Sequence, residues 1–375
     1  MKNILFLISS GYFSNKKNIN KGVNGPEIRF REFLKLSKSR NFFKIIYGNG
    51  LLVDDFRKLE EERRNIKFYN SPKSDFFNII RKFFEIIKTN NIDIVHSQGP
   101  ISYDCINIIF SFIFKYQSVI TRPVLRKDEK FKTLKSRILF LMDYFLLSKA
   151  TNIIAISNYH YTNLQNYIPR KKITLIFNGV DLNKFSNSNK GEFIEFSKSN
   201  PMNITFISQF TDVKRQDIFL ESLKNIKDLY LNINFVGTGP NLNKIKSFSK
   251  NFSFENHKIY FHGHLNNISE ILRTSHVNCL ISDREGLPVS MLEAQASGCV
   301  LIGSDIGAMN EIIQNGENGF LINNESASHE IGKNVRLLYK KSSVLVNMIN
   351  SSRIKSQKFN ILKMIEGYEK IYDSL

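Results

Sequence analysis

The chain of 375 residues contains no tryptophan and only three cysteines, Cys105, Cys279 and Cys299. Three scattered thiols supply neither a disulfide framework nor a zinc site, so a reduced, cytoplasmic compartment is the default expectation. No apolar core with a small-residue cleavage site follows Met1, which argues against a secretory leader. Long apolar runs are missing too. CINIIFSFIF (105–114) and ILFLMDYFLL (138–147) fall well short of the ~20 residues that span a bilayer, which excludes a transmembrane helix. No short-period repeat or extended low-complexity tract occurs, and no G-x-G-x-x-G fingerprint speaks for a dinucleotide-dependent oxidoreductase.

What is present fits an ordinary globular protein. Hydrophobic residues make up 42% and charged residues 23%, far from a disordered composition, and the length suggests two domains. The net charge of +19 is unevenly placed: residues 1–190 hold 33 Lys/Arg against 15 Asp/Glu, and residues 191–375 hold 20 against 19. A basic first half attracts nucleic acid, an acidic membrane surface or an anionic lipid-linked substrate. A general lysine bias would have raised both halves.

Short β-branched apolar runs alternate with amphipathic stretches, the pattern of βαβ units around a parallel sheet. In the first half the predicted strands are 3–9, 43–48, 66–70, 92–97, 118–122, 152–157 and 173–177. In the second they are 203–208, 231–237, 258–263, 277–282, 299–304 and 319–323. FFNIIRKFFEIIK (76–88) places Phe76, Ile79, Ile80, Phe83, Phe84 and Ile87 on one helical face, read as packing on the sheet rather than on a membrane. Two consecutive α/β domains joined near NGVDLNKF (178–185) are the simplest account.

In open α/β sheets, ligands bind beyond the carboxyl ends of the strands, so the loops there carry the chemistry. The loop after the first strand holds Gly11, Gly22 and Gly25 before a helix opening near Pro26. Such a loop lets backbone amides approach an anion, although a plain flexible loop reads the same way. VGTGPN (236–241) offers Gly237 and Gly239 for close backbone packing. After the strand VNCLIS come Asp283, Arg284 and Glu285, then Gly286, Leu287 and Pro288, with a helix expected from Val289 and Glu293 in its first turn. Two carboxylates flanking helix-start amides suit a nucleotide sugar, whose hydroxyls donate and whose diphosphate is anionic. The competing reading makes Glu293 a favourable first-turn acid and Glu285 a solvated loop residue.

The pattern E-G-L-P-x-x-x-L-E-A-x-A-S-G, followed by SDIGAMNEII and NGENGFLI, resembles the E-x7-E signature of the retaining family 4 (group 1) glycosyltransferases. DIVHSQGP, IFNGVDLNKF, FISQFTDVKRQD and VGTGPN match in order, so the resemblance spans nearly the whole chain. It implies the α/β GT-B fold, two Rossmann-like domains with parallel sheets facing across an interdomain cleft. The expected division is an acceptor-binding domain over 1–182, a nucleotide-sugar-binding domain over 183–360, and a helix over 361–375 returning to the first domain.

By the same resemblance Glu285 faces the donor sugar, Glu293 holds the ribose and Lys214 neutralises the diphosphate leaving group. The amides near Gly286 and Leu287 add to that anion site. Gly237 and Gly239 shape the loop beside the base, and Gly22 and Gly25 close on the phosphates. Gln209 stands where the family usually has arginine, with Arg215 as its expected substitute at a position often occupied by glycine. Where many members carry a histidine the chain reads Thr121, Arg122, Pro123, and His96 is read as structural.

The implied activity is transfer, with retention, of a hexose-type sugar from a nucleoside diphosphate sugar to a saccharide acceptor, lipid-linked, in surface polysaccharide or lipopolysaccharide synthesis. No D-x-D triplet occurs, so neither a metal nor any cofactor besides the donor is expected. The expected location is cytoplasmic, peripheral on the inner face of the plasma membrane. The alternatives are a sugar-nucleotide epimerase on the same fold and a basic nucleic-acid-binding protein. The latter would leave the second-half motif unexplained and has no readable binding module, so no nucleic acid is expected as a partner.

Overall fold

The structure is a computed structural model that describes residues 1–9, 25–39, 42–49, 53–70, 76–98, 101–123, 134–186, 194–252 and 254–375. Two compact units emerge. Of the described residues, the first takes in those through Asn178 together with Leu362–Leu375, and the second takes in those of Gly179–Ile361.

In the first unit, β1 (Lys2–Ser9), α1 (Gly25–Leu36), β2 (Phe42–Asn49), α2 (Val53–Glu62), β3 (Ile66–Asn70), α3 (Phe76–Asn90), β4 (Ile94–Gln98), α4 (Ile101–Phe114), β5 (Gln117–Arg122), α5 (Leu134–Lys149), β6 (Asn152–Ala155), α6 (Asn158–Gln165) and β7 (Ile173–Leu175) alternate along the chain. The strands form one parallel sheet in the order β3-β2-β1-β4-β5-β6-β7. A parallel sheet is covered on both faces, which is why its central strands read as continuous apolar runs. The two-residue period of β1 shows how they divide. Leu5 and Leu7 face the helices α3 and α4. Phe6 turns the other way, 4.6 Å from Phe30 of α1 and 5.9 Å from Tyr372 near the carboxyl terminus.

The polar residues of β4, His96, Ser97 and Gln98, are buried within this core. His96 lies 2.7 Å from both the Tyr372 hydroxyl and the Thr121 hydroxyl. Burial, aided by the nearby Arg29 charge, lowers its pKa to about 3, so the ring is neutral and structural. Along α3, Ile79, Phe83, Ile86 and Ile87 are buried, as helical spacing demands. Phe84 is an exception to the expected inward face. It is 37% exposed and turns to Phe110 and Phe114 of α4, while Ile86 fills the inner position. The side chain of Phe76 lies outside what the structure describes.

The second unit follows α7 (Leu182–Phe185) with β8 (Met202–Ile207), α8 (Gln216–Ser222), β9 (Leu231–Val236), α9 (Leu242–Ser249), β10 (His257–Phe261), α10 (Ser269–Thr274), β11 (Val277–Leu280), α11 (Val289–Ala296), β12 (Val300–Ser304), α12 (Met309–Ile312), β13 (Gly319–Ile322), α13 (Ala327–Lys340) and α14 (Ser342–Ser356). Its parallel sheet runs β10-β9-β8-β11-β12-β13. The last helix, α15 (Ile361–Ser374), packs in the first unit. There Lys2 donates to the Tyr372 and Asp373 carbonyls at 3.0 and 2.9 Å, and Ser37 donates to Glu369 at 2.6 Å. Among the described residues no helix is long and apolar enough to cross a membrane.

Candidate functional site

The second sheet reverses its winding between β8 and β11, so the loops leaving these strands diverge at the point where open α/β sheets leave room for a ligand. The loop after β8 carries Gln209, a 3-10 turn over Asp212–Lys214, and Arg215. The loop after β11 carries Glu285, Gly286 and Leu287 and leads into α11. The two are laced together by backbone. The Asp283 amide donates to the Val213 carbonyl at 2.9 Å, and the Ser282 hydroxyl lies 3.0 Å from that same oxygen.

This lacing brings Lys214 to Glu285 in a direct ion pair. Glu285 is 7% exposed, so its carboxylate is not the solvated loop residue of the competing reading, and Lys214 is its described cationic partner. Gly307 supports the pair from behind. Its φ is +54° and a Cβ there would lie 2.2 Å from the Glu285 carbonyl oxygen, so only glycine permits this approach.

Gly237 and Gly239 do comparable work for the loop after β8. Added Cβ atoms would meet the Ser208 and Phe210 carbonyls at 2.0 and 2.4 Å. The Phe210 amide donates to Thr238 at 3.0 Å and the Asn241 amide returns to Phe210 at 3.0 Å, so the two loops lie flat on each other. The Gln209 carbonyl accepts from the buried Gln216 side chain at 3.0 Å, which closes the base of the loop.

Arg215 sits at φ +30°, in the left-handed region that glycine adopts freely. Its guanidinium is engaged by Asp217 at 3.1 Å and Asp283 at 3.4 Å. Glu293 is buried, and it lies in the second turn of α11 rather than the first. The helix begins at Val289 because Pro288 caps it, and the Pro288 carbonyl accepts from Met291 and Leu292 at 3.1 and 3.3 Å. The amides of Val289 and Ser290 have no acceptor within the helix, as in any first turn. Gly286 and Leu287 are buried between the pair and this helix start.

In the first unit Gly25 opens α1, whereas Gly22 lies outside the described residues. Two polar clusters there were not anticipated from the sequence. Arg29 donates from α1 to Asn178 and to Gln98 at the end of β4, all three buried. Arg122, at the carboxyl end of β5, is locked between Asp104 and Asp143, and Ser97 donates to Asp104 at 2.6 Å. A signal for the second cluster existed: Asp104 and Asp143 are lone acids beside or within apolar helical runs, where a buried charge requires a partner. Burial raises the Asp104 pKa, opposed by Arg122 and by the Ser97 hydrogen bond. Among the described residues no group of three or more His, Cys, Asp or Glu side chains is placed to hold a metal ion.

Residues 188–355 match the family model of glycosyl transferases group 1, and residues 49–184 match that of glycosyltransferase family 4. The capsular polysaccharide biosynthesis glycosyltransferase CapH of Staphylococcus aureus is 26% identical over 77% of this chain and 80% of its own length. A UDP-Gal:alpha-D-GlcNAc-diphosphoundecaprenol alpha-1,3-galactosyltransferase of Escherichia coli is 32% identical over 55% of each chain. Anabaena HepE, solved in complex with UDP-glucose, superimposes with a TM-score of 0.79 over 100% of both chains at 18% identity, a likeness of fold.

Proposed function

Because the chain belongs to the group 1 glycosyltransferases, with two Rossmann-like domains of the GT-B type, we propose that it moves a hexose-type sugar from a nucleoside diphosphate sugar to a lipid-linked saccharide acceptor, retaining the anomeric configuration and using no divalent metal. The observation that carries the donor side is the Lys214–Glu285 pair at the switch point of the second sheet, beside the start of α11. In this reading a bound diphosphate draws Lys214, and the Val289 and Ser290 amides add their dipoles. As the glycosidic bond to the leaving group breaks, negative charge grows on the diphosphate. Fixed donors aimed there stabilise the transition state more than the ground state.

Glu285 is then released to face the sugar, where a carboxylate accepts hydrogen bonds from hydroxyls and favours positive charge developing at the anomeric carbon. Glu293 takes the ribose hydroxyls. Metal independence rests on the lack of a D-x-D triplet in the sequence and on the cationic lysine that serves in its place. A lipid-linked acceptor in surface polysaccharide synthesis is supported by what the Staphylococcus and Escherichia relatives are named for. The test is release of nucleoside diphosphate from a panel of UDP- and GDP-sugars with an undecaprenyl-diphosphate-linked saccharide. Acceptor-dependent release bears the reading out, and acceptor-independent conversion of the donor points instead to an epimerase.

A further inference from the structure

The first unit carries a second surface that the donor chemistry does not use. Helices α3, α4 and α5 lie side by side on one face of its sheet, their inner residues sharing the clusters around Phe83, Ile106 and Leu147. Their outer faces are apolar as well. Of the fourteen large hydrophobic residues exposed among the described ones, ten lie on these three helices. Ile109, Phe112 and Ile113 of α4 are 56%, 65% and 62% exposed, and Leu141 and Phe145 of α5 are 63% and 56% exposed. A helix that is apolar all round is normally buried on all sides, and a contiguous patch of this kind marks an interaction surface.

The charges along one edge of the patch have one sign. Every strand of the sheet is parallel, so α3, α4 and α5 each run back and end at the same edge, where their termini place Lys88, Lys115 and Lys149, all exposed. Lys88 sits 4.4 Å above the ring of Phe84 and Lys149 sits 5.5 Å above that of Phe145, which holds these ammonium groups at the rim of the apolar face. Lys171 and Lys172 precede β7 at this edge. The Lys172 ammonium is partly desolvated, and its pKa is lowered by that burial and by its neighbours Lys149 and Lys171. The acids of the three helices do not offset this row. Glu85 pairs with Lys82 at 2.7 Å, and Asp104 and Asp143 point inward to Arg122. Asp93, between α3 and β4, accepts from the Asn3 amide at 2.7 Å.

We propose that the outer face of α4 and α5, with the lysine row along its edge, is a docking surface for an anionic lipid bilayer. An apolar face flanked by cations matches the membrane interface, where side chains such as Phe112 and Phe145 enter the headgroup–acyl boundary and lysines contact anionic headgroups. The surface belongs to the first unit alone and stands whether or not the second unit binds a nucleotide sugar.

The absence of tryptophan makes a clean probe possible. In the full-length protein, Phe112→Trp and Phe145→Trp each introduce a single reporter at an exposed aromatic site, and Tyr260→Trp, 41% exposed in the second unit, is the control. Vesicles of phosphatidylcholine with phosphatidylglycerol should shift the emission of the first two to the blue, and brominated acyl chains should quench it, while the control is unchanged. Vesicle sedimentation should fall at least tenfold in 1 M salt, and likewise in the triple variant Lys88→Glu/Lys115→Glu/Lys149→Glu, whose unfolding midpoint is checked alongside. An unshifted reporter, equal binding by the triple variant, or self-association in place of lipid binding would overturn the proposal.

Discussion

Lys214 and Glu285, 71 residues apart in sequence, form an ion pair between the loops that leave β8 and β11. Each is the other's described partner, and the carboxylate is the more buried of the two, at 7% against 22% side-chain exposure. A donor diphosphate can enter this arrangement by taking over the lysine, which ties donor binding to freeing the carboxylate beside the sugar.

Breaking the pair from one side should therefore have two separable effects. Lys214→Ala leaves a buried carboxylate without its cation, at an expected cost of about 1–3 kcal/mol in stability. It should also lower turnover by about 10²–10³-fold, the scale for removing one transition-state donor. Adding Glu285→Gln should recover most of the stability and none of the activity. Glu285→Gln alone should reduce turnover while leaving nucleotide affinity close to the parent. Urea unfolding and steady-state kinetics on the three variants check this, and an equal loss of UDP or GDP affinity in Glu285→Gln would remove its role at the sugar.

Gly307→Ala should act through Glu285 without touching substrate. The new Cβ would lie 2.2 Å from the Glu285 carbonyl oxygen, so the loop must move. Expected are a stability loss of about 1–3 kcal/mol and a fall in kcat larger than any rise in KM. Parent-level kcat with the same loop contacts would contradict the supporting role.

Arg215→Gly separates backbone strain from charge. Removing a non-glycine residue from φ +30° should gain about 1 kcal/mol, while losing the partly exposed pairs with Asp217 and Asp283 should cost about 0–1 kcal/mol. Stability should be unchanged or slightly higher. If Arg215 also assists the leaving group, turnover falls despite this; unchanged turnover would show that Arg215 takes no part in that step.

Acid should weaken the first unit through two buried histidines. Burial lowers the pKa of His160 to about 4 and that of His96 to about 3. Below about pH 6.5 the unfolded chain binds protons that the fold excludes, so stability falls as pH drops from 6.5 toward 4, by up to about 1.4 kcal/mol per pH unit for each ring. His160→Phe should remove one share of this slope, since neither ring nitrogen of His160 has a hydrogen-bond partner among the described residues. Urea midpoints at pH 7 and pH 5 for parent and variant test it, and identical pH slopes would contradict the assignment.

The thirteen strands among the described residues and their order of appearance were legible because buried parallel strands need β-branched runs and the helices between them need a 3.6-residue period. Glu285 and Lys214 were legible through their motif, but their contact was not, since it depends on the backbone lacing of Asp283 to Val213. The start of α11 at Val289 was legible from the preceding Pro288, and it makes Glu293 the fifth helical residue, which at 3.6 residues per turn lies in the second turn and not, as expected, in the first. The Arg29, Gln98 and Asn178 cluster joins residues from three distant segments whose local sequence carries no shared pattern. Phe84 sits at the boundary of a helical face, where spacing alone does not distinguish a buried residue from one that turns to a neighbouring helix.

The most direct measurement of the central claim is thermal unfolding of the full-length protein with a panel of UDP- and GDP-sugars, without added metal and with EDTA present. A ligand that binds only the fold at 100 times its Kd adds about 2.7 kcal/mol, a rise of several degrees for a domain of this size. At least one nucleotide sugar should raise the midpoint, with the rise lost in Lys214→Ala and in Glu293→Ala. No rise with any donor, a rise retained in both variants, or a rise that appears only with manganese or magnesium would contradict it.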